Sequence, residues 1–141
     1  MVDAGDEPAA WLARDAGGNV SLLGGWSRTS GRHHFPPAAL CPYTGADDVE
    51  VVSLPRTGSL WAWTAVTSAP PGYEGPVPYG FGIVELDGIG LRVVGRLTEP
   101  DPSALRYGQP MGVTTETLPG GRVVWAFAPE VMGSTKPSPT S

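Results

Sequence analysis

The sequence contains few of the residues from which metal and catalytic sites are most often built. It has one cysteine, Cys41, one lysine, Lys136, and two histidines among 141 residues. A single cysteine excludes an internal disulfide and is typical of a protein from a reducing compartment. Nine basic residues against 14 acidic ones give a net charge of −5, which opposes binding to a phosphate backbone. The composition therefore disfavours nucleic acid as a partner.

Long apolar segments are also missing. No run approaches the ~20 residues that a membrane-spanning helix needs. The acidic stretch from Met1 to Glu7 has no apolar core of the kind found in secretory signals. These absences predict that the chain neither enters a membrane nor is secreted, and we expect a cytoplasmic location.

Glycine and proline, by contrast, are abundant, with 20 and 16 residues, and this favours short strands joined by turns. A short helix is predicted within residues 7–16 and a lead-in strand at Val20 to Leu23. From Val49 onward the pattern is all-β, which favours a small antiparallel barrel of the OB type. The predicted organisation is an N-terminal segment (1–24), a ribbon-like segment (25–48), a barrel (49–130) and a disordered Ser/Thr/Pro-rich tail (131–141).

The ribbon-like segment carries two five-residue motifs on either side of Phe35-Pro36-Pro37. They read Ser27-Arg28-Thr29-Ser30-Gly31 and Cys41-Pro42-Tyr43-Thr44-Gly45. Their glycines are in register with the paired C-x-x-C-G loops of a zinc ribbon, but only one thiolate remains. Structural zinc needs four soft or borderline donors, and three hydroxyls cannot replace three thiolates. We therefore predict no metal at the former ligand positions, which are Ser27, Ser30, Cys41 and Thr44.

Without a metal, apolar side chains must hold this segment in place. The candidate anchors are Phe35, Leu40 and Tyr43, together with Trp26.

The downstream half of the sequence contains a series of motifs that points to a particular family. The chain reads Pro76-Val77-Pro78-Tyr79-Gly80-Phe81-Gly82-Ile83-Val84-Glu85-Leu86-Asp87, then Gly95-Arg96-Leu97, Asp101-Pro102, Leu105-Arg106-Tyr107-Gly108 and Met111-Gly112-Val113. In this order, and after the ribbon remnant, these motifs resemble the acyl-CoA-associated OB-fold family known as domain of unknown function 35. Members of that family pair a rubredoxin-like zinc ribbon with an OB barrel. The resemblance covers roughly residues 20–130.

The resemblance implies an accessory role in lipid metabolism. Such proteins accompany thiolase-superfamily enzymes and help to form the acyl-CoA site of the partner. The most specific expectation is a hetero-oligomer with a thiolase-like aldolase of steroid degradation, which cleaves a β-hydroxyacyl-CoA. Other partners that the resemblance allows are a thiolase, an acyltransferase or a MaoC-type enoyl-CoA hydratase. The catalytic residues would then belong to the partner, and this chain would bind no cofactor of its own.

Candidate interface residues are mostly aromatic or arginine. Trp61 and Trp63 lie two residues apart on one predicted strand and so share a face. They point outward if Leu60 and its alternating neighbours line the barrel. Tyr73 stands at the centre of a proline-stiffened loop, and Arg92 and Arg96 could contact a CoA phosphate. The full set is Phe35, Trp61, Trp63, Tyr73, Tyr79, Arg92 and Arg96.

Two other functions stay open at this stage. The chain could be a stand-alone acyl-CoA-processing enzyme in which Cys41 is activated by His33 or His34. The same three residues could also hold a transition metal, although adjacent histidines on an extended chain point to opposite faces. Alternatively, the barrel could bind nucleic acid by stacking bases on its tryptophans. The net negative charge of the chain disfavours this last reading.

Overall fold

The computed structural model describes residues 11–14 and 16–130. Within these ranges the chain forms nine strands and a 3₁₀ turn at Pro102–Ala104. The strands are β1 (Leu12–Arg14), β2 (Val20–Ser27), β3 (His33–His34), β4 (Val49–Ser53), β5 (Thr57–Val66), β6 (Tyr79–Leu86), β7 (Arg92–Leu97), β8 (Pro110–Thr117) and β9 (Val123–Pro129). The predicted disordered tail, 131–141, lies outside the described residues. None of the helical structure found in these ranges is long and apolar enough to cross a membrane.

The first four strands form an N-terminal sheet with β2 at its centre. Strand β4 pairs antiparallel with β2, from Leu23 opposite Ser53 to Ser27 opposite Val49. Strands β1 and β3 also pair with β2. β1 pairs with residues 20–22 of β2, and β3 pairs with Gly25 and Trp26. β2 is therefore the strand on which the N-terminal sheet is assembled.

The helix predicted within residues 7–16 is wrong for the part that the structure describes. Residues Leu12–Arg14 form β1, and the Trp11 carbonyl accepts a hydrogen bond from the Leu23 N–H at 2.8 Å. A segment this short gains little from helical hydrogen bonds, because nucleation is unfavourable. Pairing with β2 satisfies the same backbone groups at once. Residues 7–10 and 15 lie outside the described ranges.

The remaining five strands close into a barrel in the order β5-β6-β7-β9-β8, and β8 pairs back with β5. Neighbouring strands are antiparallel except β7 and β9, which are parallel. A five-stranded closed barrel of this kind confirms the predicted OB fold. Its core is a cluster of buried apolar side chains formed by Leu22, Leu54, Leu60, Val84, Leu86, Val93, Leu97, Leu105, Met111 and Phe127.

The predicted start of the barrel at residue 49 is wrong. Strand β4 belongs to the N-terminal sheet, and the barrel begins at Thr57. β4 reads as a barrel strand in the sequence because its valines suit any half-buried sheet. Leu54 then joins the two parts, since its N–H donates to the Leu22 carbonyl at 2.8 Å and its side chain enters the barrel core. The sheet and the barrel therefore share one hydrophobic core.

Candidate functional site

The two motifs of the ribbon-like segment fold into a matching pair of loops. We call them the first knuckle (residues 27–32) and the second knuckle (residues 41–46). In each knuckle, the N–H of the first residue donates to the carbonyl five residues later, and the N–H of the glycine donates back to the first carbonyl. The four bonds are Ser27 N to Arg32 O (3.2 Å), Gly31 N to Ser27 O (2.7 Å), Cys41 N to Ala46 O (2.8 Å) and Gly45 N to Cys41 O (2.7 Å).

Both glycines occupy the left-handed region that the turn requires, with φ of 69° at Gly31 and 79° at Gly45. The two knuckles therefore share the same backbone hydrogen bonds, with a glycine at the equivalent position of each.

The four former ligand positions meet around the sulfur of Cys41. This side chain is only 2% exposed, and its Sγ lies 3.6 Å from the Ser30 Oγ. Burial raises the pKa of the Cys41 thiol, but hydrogen bonds from the side chains of Thr44 and Ser30 outweigh this effect. The Tyr43 N–H and the Ser27 hydroxyl contribute further, and together they lower the pKa from 9.0 to about 6. Hydroxyl donors thus surround the one retained thiolate.

A carboxylate that the sequence analysis did not single out fastens the first knuckle. Asp48 accepts hydrogen bonds from the Ser27 hydroxyl at 2.7 Å and from both the N–H and the hydroxyl of Thr29 at 2.6 Å. The side chains of Thr29 and Ser27 lower the pKa of Asp48 to about 2. The carboxylate therefore stays ionised and holds the loop at all ordinary pH values.

The environment of Cys41 offers no base. Its hydrogen-bond partners are hydroxyls and a backbone N–H, and neither His33 nor His34 is among them. Across residues 11–14 and 16–130, no group of three or more His, Cys, Asp or Glu side chains could hold a metal ion. The geometry therefore gives no support to the Cys–His dyad or to the mixed metal site.

Three aromatic rings join the ribbon-like segment to the barrel, and we call them the aromatic joint: Trp11, Phe35 and Trp125. The Trp125 ring makes edge-to-face contacts with Trp11 and Phe35, each at 5.1 Å between centroids. Its indole N–H donates to the Val94 carbonyl at 2.9 Å. Gly95 makes room for the indole, because a Cβ there would lie 2.7 Å from the Trp125 Nε1. Trp125 therefore covers the part of β7 that β9 does not pair with, and Phe35 holds the ribbon against it.

Of the anchors predicted for the ribbon, only Phe35 reaches the barrel in this way. Leu40 and Tyr43 are wrong as buried anchors, because they are 53% and 41% exposed. Tyr43 lies beneath the Arg32 guanidinium at 3.6 Å, and its hydroxyl donates to the His33 carbonyl at 2.9 Å. It therefore braces the two knuckles from the solvent side.

The prediction that Trp61 and Trp63 share a face is wrong, because a β-bulge separates them. Leu60 pairs with Val84 but Ala62 pairs with Ile83, so Trp61 is an extra residue without a cross-strand partner. From the bulge onward, the side-chain alternation of β5 is inverted. Trp61 points outward, whereas Trp63 packs against the buried core and its indole N–H donates to the Pro102 carbonyl at 3.0 Å.

The bulge helps to create an apolar groove on the outside of the barrel, which we call the barrel face. It lies on three adjacent strands and is lined by Ala62, Trp63, Thr64, Phe81, Gly82, Ile83 and Val94. Ile83 pairs with Ala62 on one side and Val94 on the other, and Phe81 pairs with Thr64. Phe81 and Val94 are 38% and 45% exposed. Neither was singled out as a site residue, although the alternation within β6 puts Phe81 opposite the buried Val84.

Arginine–aromatic clusters border the barrel face on both sides. On one side Arg92 pairs with Glu85 at 3.2 Å and stacks on the Trp61 ring at 4.1 Å. On the other side Arg96 pairs with Glu116 at 2.6 Å and stacks on the Tyr79 ring at 4.4 Å. Both arginines are thus held by carboxylates of this chain.

The predicted loop aromatic, Tyr73, folds back onto the second of these clusters. Its ring lies 5.0 Å from that of Tyr79, and its hydroxyl donates to the Pro76 carbonyl at 2.8 Å. The Arg96 guanidinium donates to the same hydroxyl at 3.4 Å. The loop between β5 and β6 is therefore pinned beside the barrel face. Of the seven predicted interface residues, five border this face, Trp63 lines it while also packing on the core, and Phe35 serves internal packing.

Comparisons with known proteins match this architecture. Residues 51–116 match the family described as the C-terminal OB-fold domain of ChsH2. A DUF35 domain-containing scaffold protein of Pyrococcus furiosus is 29% identical over 69% of this chain and 70% of its own length. A protein of the same description from Methanocaldococcus jannaschii is 27% identical over 62% of each chain. Among solved structures, the Ltp2-ChsH2(DUF35) aldolase matches with a TM-score of 0.63 and 25% identity, covering 79% of this chain and 86% of the matched one.

Proposed function

Since this chain resembles the DUF35 family of OB-fold proteins, we propose that it is the accessory subunit of an enzyme that acts on acyl-CoA. Its relatives in two organisms are described as scaffold proteins, and the matched solved structure is described as an aldolase of two named components. Both descriptions fit a subunit that supports catalysis in another chain.

The observation that carries the proposal is the barrel face with its arginine–aromatic borders. Protein interfaces typically combine an apolar centre with a polar rim. Their binding energy is concentrated in Trp, Tyr and Arg. The barrel face provides Phe81 and Val94 at its centre and Trp61, Arg92 and Arg96 at its edge. The arginines are already neutralised by Glu85 and Glu116, so a docked surface would not leave a buried charge unpaired.

The most specific form of the proposal concerns the partner and its reaction. The partner is a thiolase-superfamily enzyme, and the complex cleaves a β-hydroxyacyl-CoA of steroid side-chain degradation by a retro-aldol step. The partner supplies the catalytic groups, while this chain stabilises it and helps to shape the acyl-CoA site. The solved relative is described as an aldolase, which supports this choice over thiolysis, acyl transfer or hydration.

The knuckles, which carry one cysteine instead of four, are compatible with such a role. Docking needs a surface of fixed shape, and here hydrogen bonds from Asp48 fix the first knuckle while the aromatic joint fixes the ribbon on the barrel. A rigid surface loses little conformational entropy when it binds, which favours affinity.

The experiment is reconstitution of the complex from its two chains. The tagged chain is purified from its native host with its partner, and cleavage of a β-hydroxyacyl-CoA is measured for the complex and for each chain alone. The proposal predicts activity in the complex, none in this chain, and unchanged activity with Cys41→Ser in the complex. Turnover by this chain alone, lost in Cys41→Ser, would instead identify a stand-alone enzyme. Hydration or thiolysis by the complex would identify one of the other partners.

A further inference from the structure

His34 is a buried imidazole at the point where the ribbon-like segment meets the barrel. The residue lies on β3, pairs with Gly25 of β2, and is 4% exposed. Its ring packs so closely over Gly25 that any Cβ at that position would overlap the imidazole. Val49 of β4 also lies against Gly25, within the same layer of side chains. The ring therefore fills the space that the missing side chain of Gly25 leaves in the N-terminal sheet.

Neither ring nitrogen of His34 has a hydrogen-bond partner among the described residues. Burial lowers the pKa of His34, and the charge of neighbouring His33 lowers it further. The elements packed on the ring offer no compensating charge, since β2 presents Gly25 and β4 presents Val49. The nearby carboxylate of Asp48 is engaged by the first knuckle, and Glu50 is exposed. A proton on His34 would thus be a buried, unpaired charge, which is strongly unfavourable.

Protonation of His34 would also affect the aromatic joint. Phe35 follows His34 directly in the chain, and its ring holds the ribbon against Trp125 with a centroid distance of 5.1 Å. Strand β3 is only two residues long, so moving the imidazole into water removes half of its pairing with β2. The backbone that carries Phe35 would then be free to leave Trp125.

We propose that His34 is a pH-sensitive latch that holds the ribbon-like segment on the barrel while its ring is neutral and releases the segment when the ring is protonated. The direction follows from proton linkage. The open segment exposes the imidazole, which then binds a proton with the ordinary pKa of 6.5, whereas the closed segment disfavours the proton. The latch is therefore closed above pH 6.5 and is progressively weakened as the pH falls below that value.

Hydrogen exchange of the full chain, followed by mass spectrometry between pH 7.5 and 5.0, tests the latch. After correction for the intrinsic exchange rate, peptides from residues 25–48 should open more readily below about pH 6.5, by at most ~tenfold per pH unit, the limit for one proton. Peptides from β6 and β7 should not. Combined with Cys41→Ser, which removes the other titrating group of this segment, the variants His34→Phe and His34→Leu should abolish the pH response. The control His33→Gln should retain the response with the same onset, because the onset is set by the exposed imidazole of His34 in the open segment.

The latch is refuted if wild type and His34→Phe show the same pH response, or if residues 25–48 of the wild type stay protected down to pH 5. Should both His34 variants fail to fold, a nuclear magnetic resonance titration of the two wild-type imidazoles decides the matter. The latch predicts that His34 gains its proton together with the loss of the ring contacts between Phe35 and Trp125. An imidazole that titrates while those contacts persist would overturn it.

Discussion

The sulfur of Cys41 lies 3.6 Å from the hydroxyl oxygen of Ser30, although the two residues belong to different knuckles. They approach each other because each knuckle closes the same pair of backbone hydrogen bonds around its first residue and its glycine. The loops therefore converge on the Cys41 sulfur, where hydroxyls of both knuckles lie, while the Asp48 carboxylate fastens the first knuckle. The metal ligands can be absent without loss of the backbone arrangement.

Restoring the missing ligands should restore a metal site. The triple variant Ser27→Cys, Ser30→Cys, Thr44→Cys places four thiols at the positions that meet around the Cys41 sulfur. We expect it to bind Co²⁺ and to show the visible absorption spectrum of a tetrahedral thiolate site. Added Zn²⁺ should then displace the Co²⁺. The wild type should show no such spectrum. Adding Cys41→Ser to the triple variant is the control and should weaken binding sharply. Absence of a tetrahedral spectrum in the triple variant would show that the knuckles do not keep the geometry.

The Cys41 thiol should make stability depend on pH. Its pKa is lowered to about 6 in the folded chain, mainly because the hydroxyls of Thr44 and Ser30 outweigh the effect of burial. The unfolded thiol has the ordinary pKa of 9.0 and so holds its proton when the folded one has lost it. Stability is therefore fully enhanced above pH 9 and is lost as the pH falls towards 6. Urea unfolding at pH 6, 7.5 and 9 should show this rise, and Cys41→Ser should flatten it. An equal slope in Cys41→Ser would contradict the low pKa.

Removing the Phe35 ring should detach the ribbon-like segment. Phe35→Ala deletes the edge-to-face contact with Trp125 and half-buried apolar surface, and we expect a loss of about 2–4 kcal/mol. Limited proteolysis should then cut within residues 25–48 while the barrel stays protected. Leu40→Ala is the matched control, because its side chain is exposed and should change stability by less than about 0.5 kcal/mol. Equal resistance of the two variants would refute the anchoring role of Phe35.

Substituting the two tryptophans of β5 should have different effects, one mainly on stability and the other mainly on partner affinity. Trp63→Ala removes a ring that packs on the core and a hydrogen bond to the Pro102 carbonyl, so it should cost about 3–5 kcal/mol of stability. Trp61→Ala should cost less than about 1 kcal/mol, since the ring lies outside the barrel against Arg92. In the complex, however, Trp61→Ala should weaken partner affinity by about 2 kcal/mol or more. Unchanged affinity would exclude Trp61 from the interface.

Much of the barrel could be predicted from the sequence, because alternation of apolar residues and turn signals are local properties. The sequence predicts an all-β pattern from Val49 onward, and all five barrel strands lie within that segment. The two knuckles were predicted as well, since the spacing of their glycines is specific. The local sequence pattern gave wrong predictions where pairing between distant strands determines the structure. Leu12–Arg14 became a strand because β2 offered a free edge, and β4 joined the same sheet rather than the barrel.

The candidate site was predicted less well, and the bulge at Trp61 is the main reason. A bulge adds one residue without changing the apparent alternation, so the sequence gives no sign that Trp63 turns inward. The joint between Phe35 and Trp125 also depends on residues 90 positions apart, which no local pattern relates. Asp48 was missed because an acidic residue beside a turn is usually solvated, and only the fold brings it to Ser27 and Thr29.

Affinity purification of the tagged chain from its native host, with mass spectrometry of what it binds, tests the accessory-subunit account most directly. The account predicts stoichiometric recovery of a thiolase-superfamily enzyme, and its loss when Trp61→Ala replaces the wild type. Recovery of the chain alone, soluble and monomeric, would contradict the account.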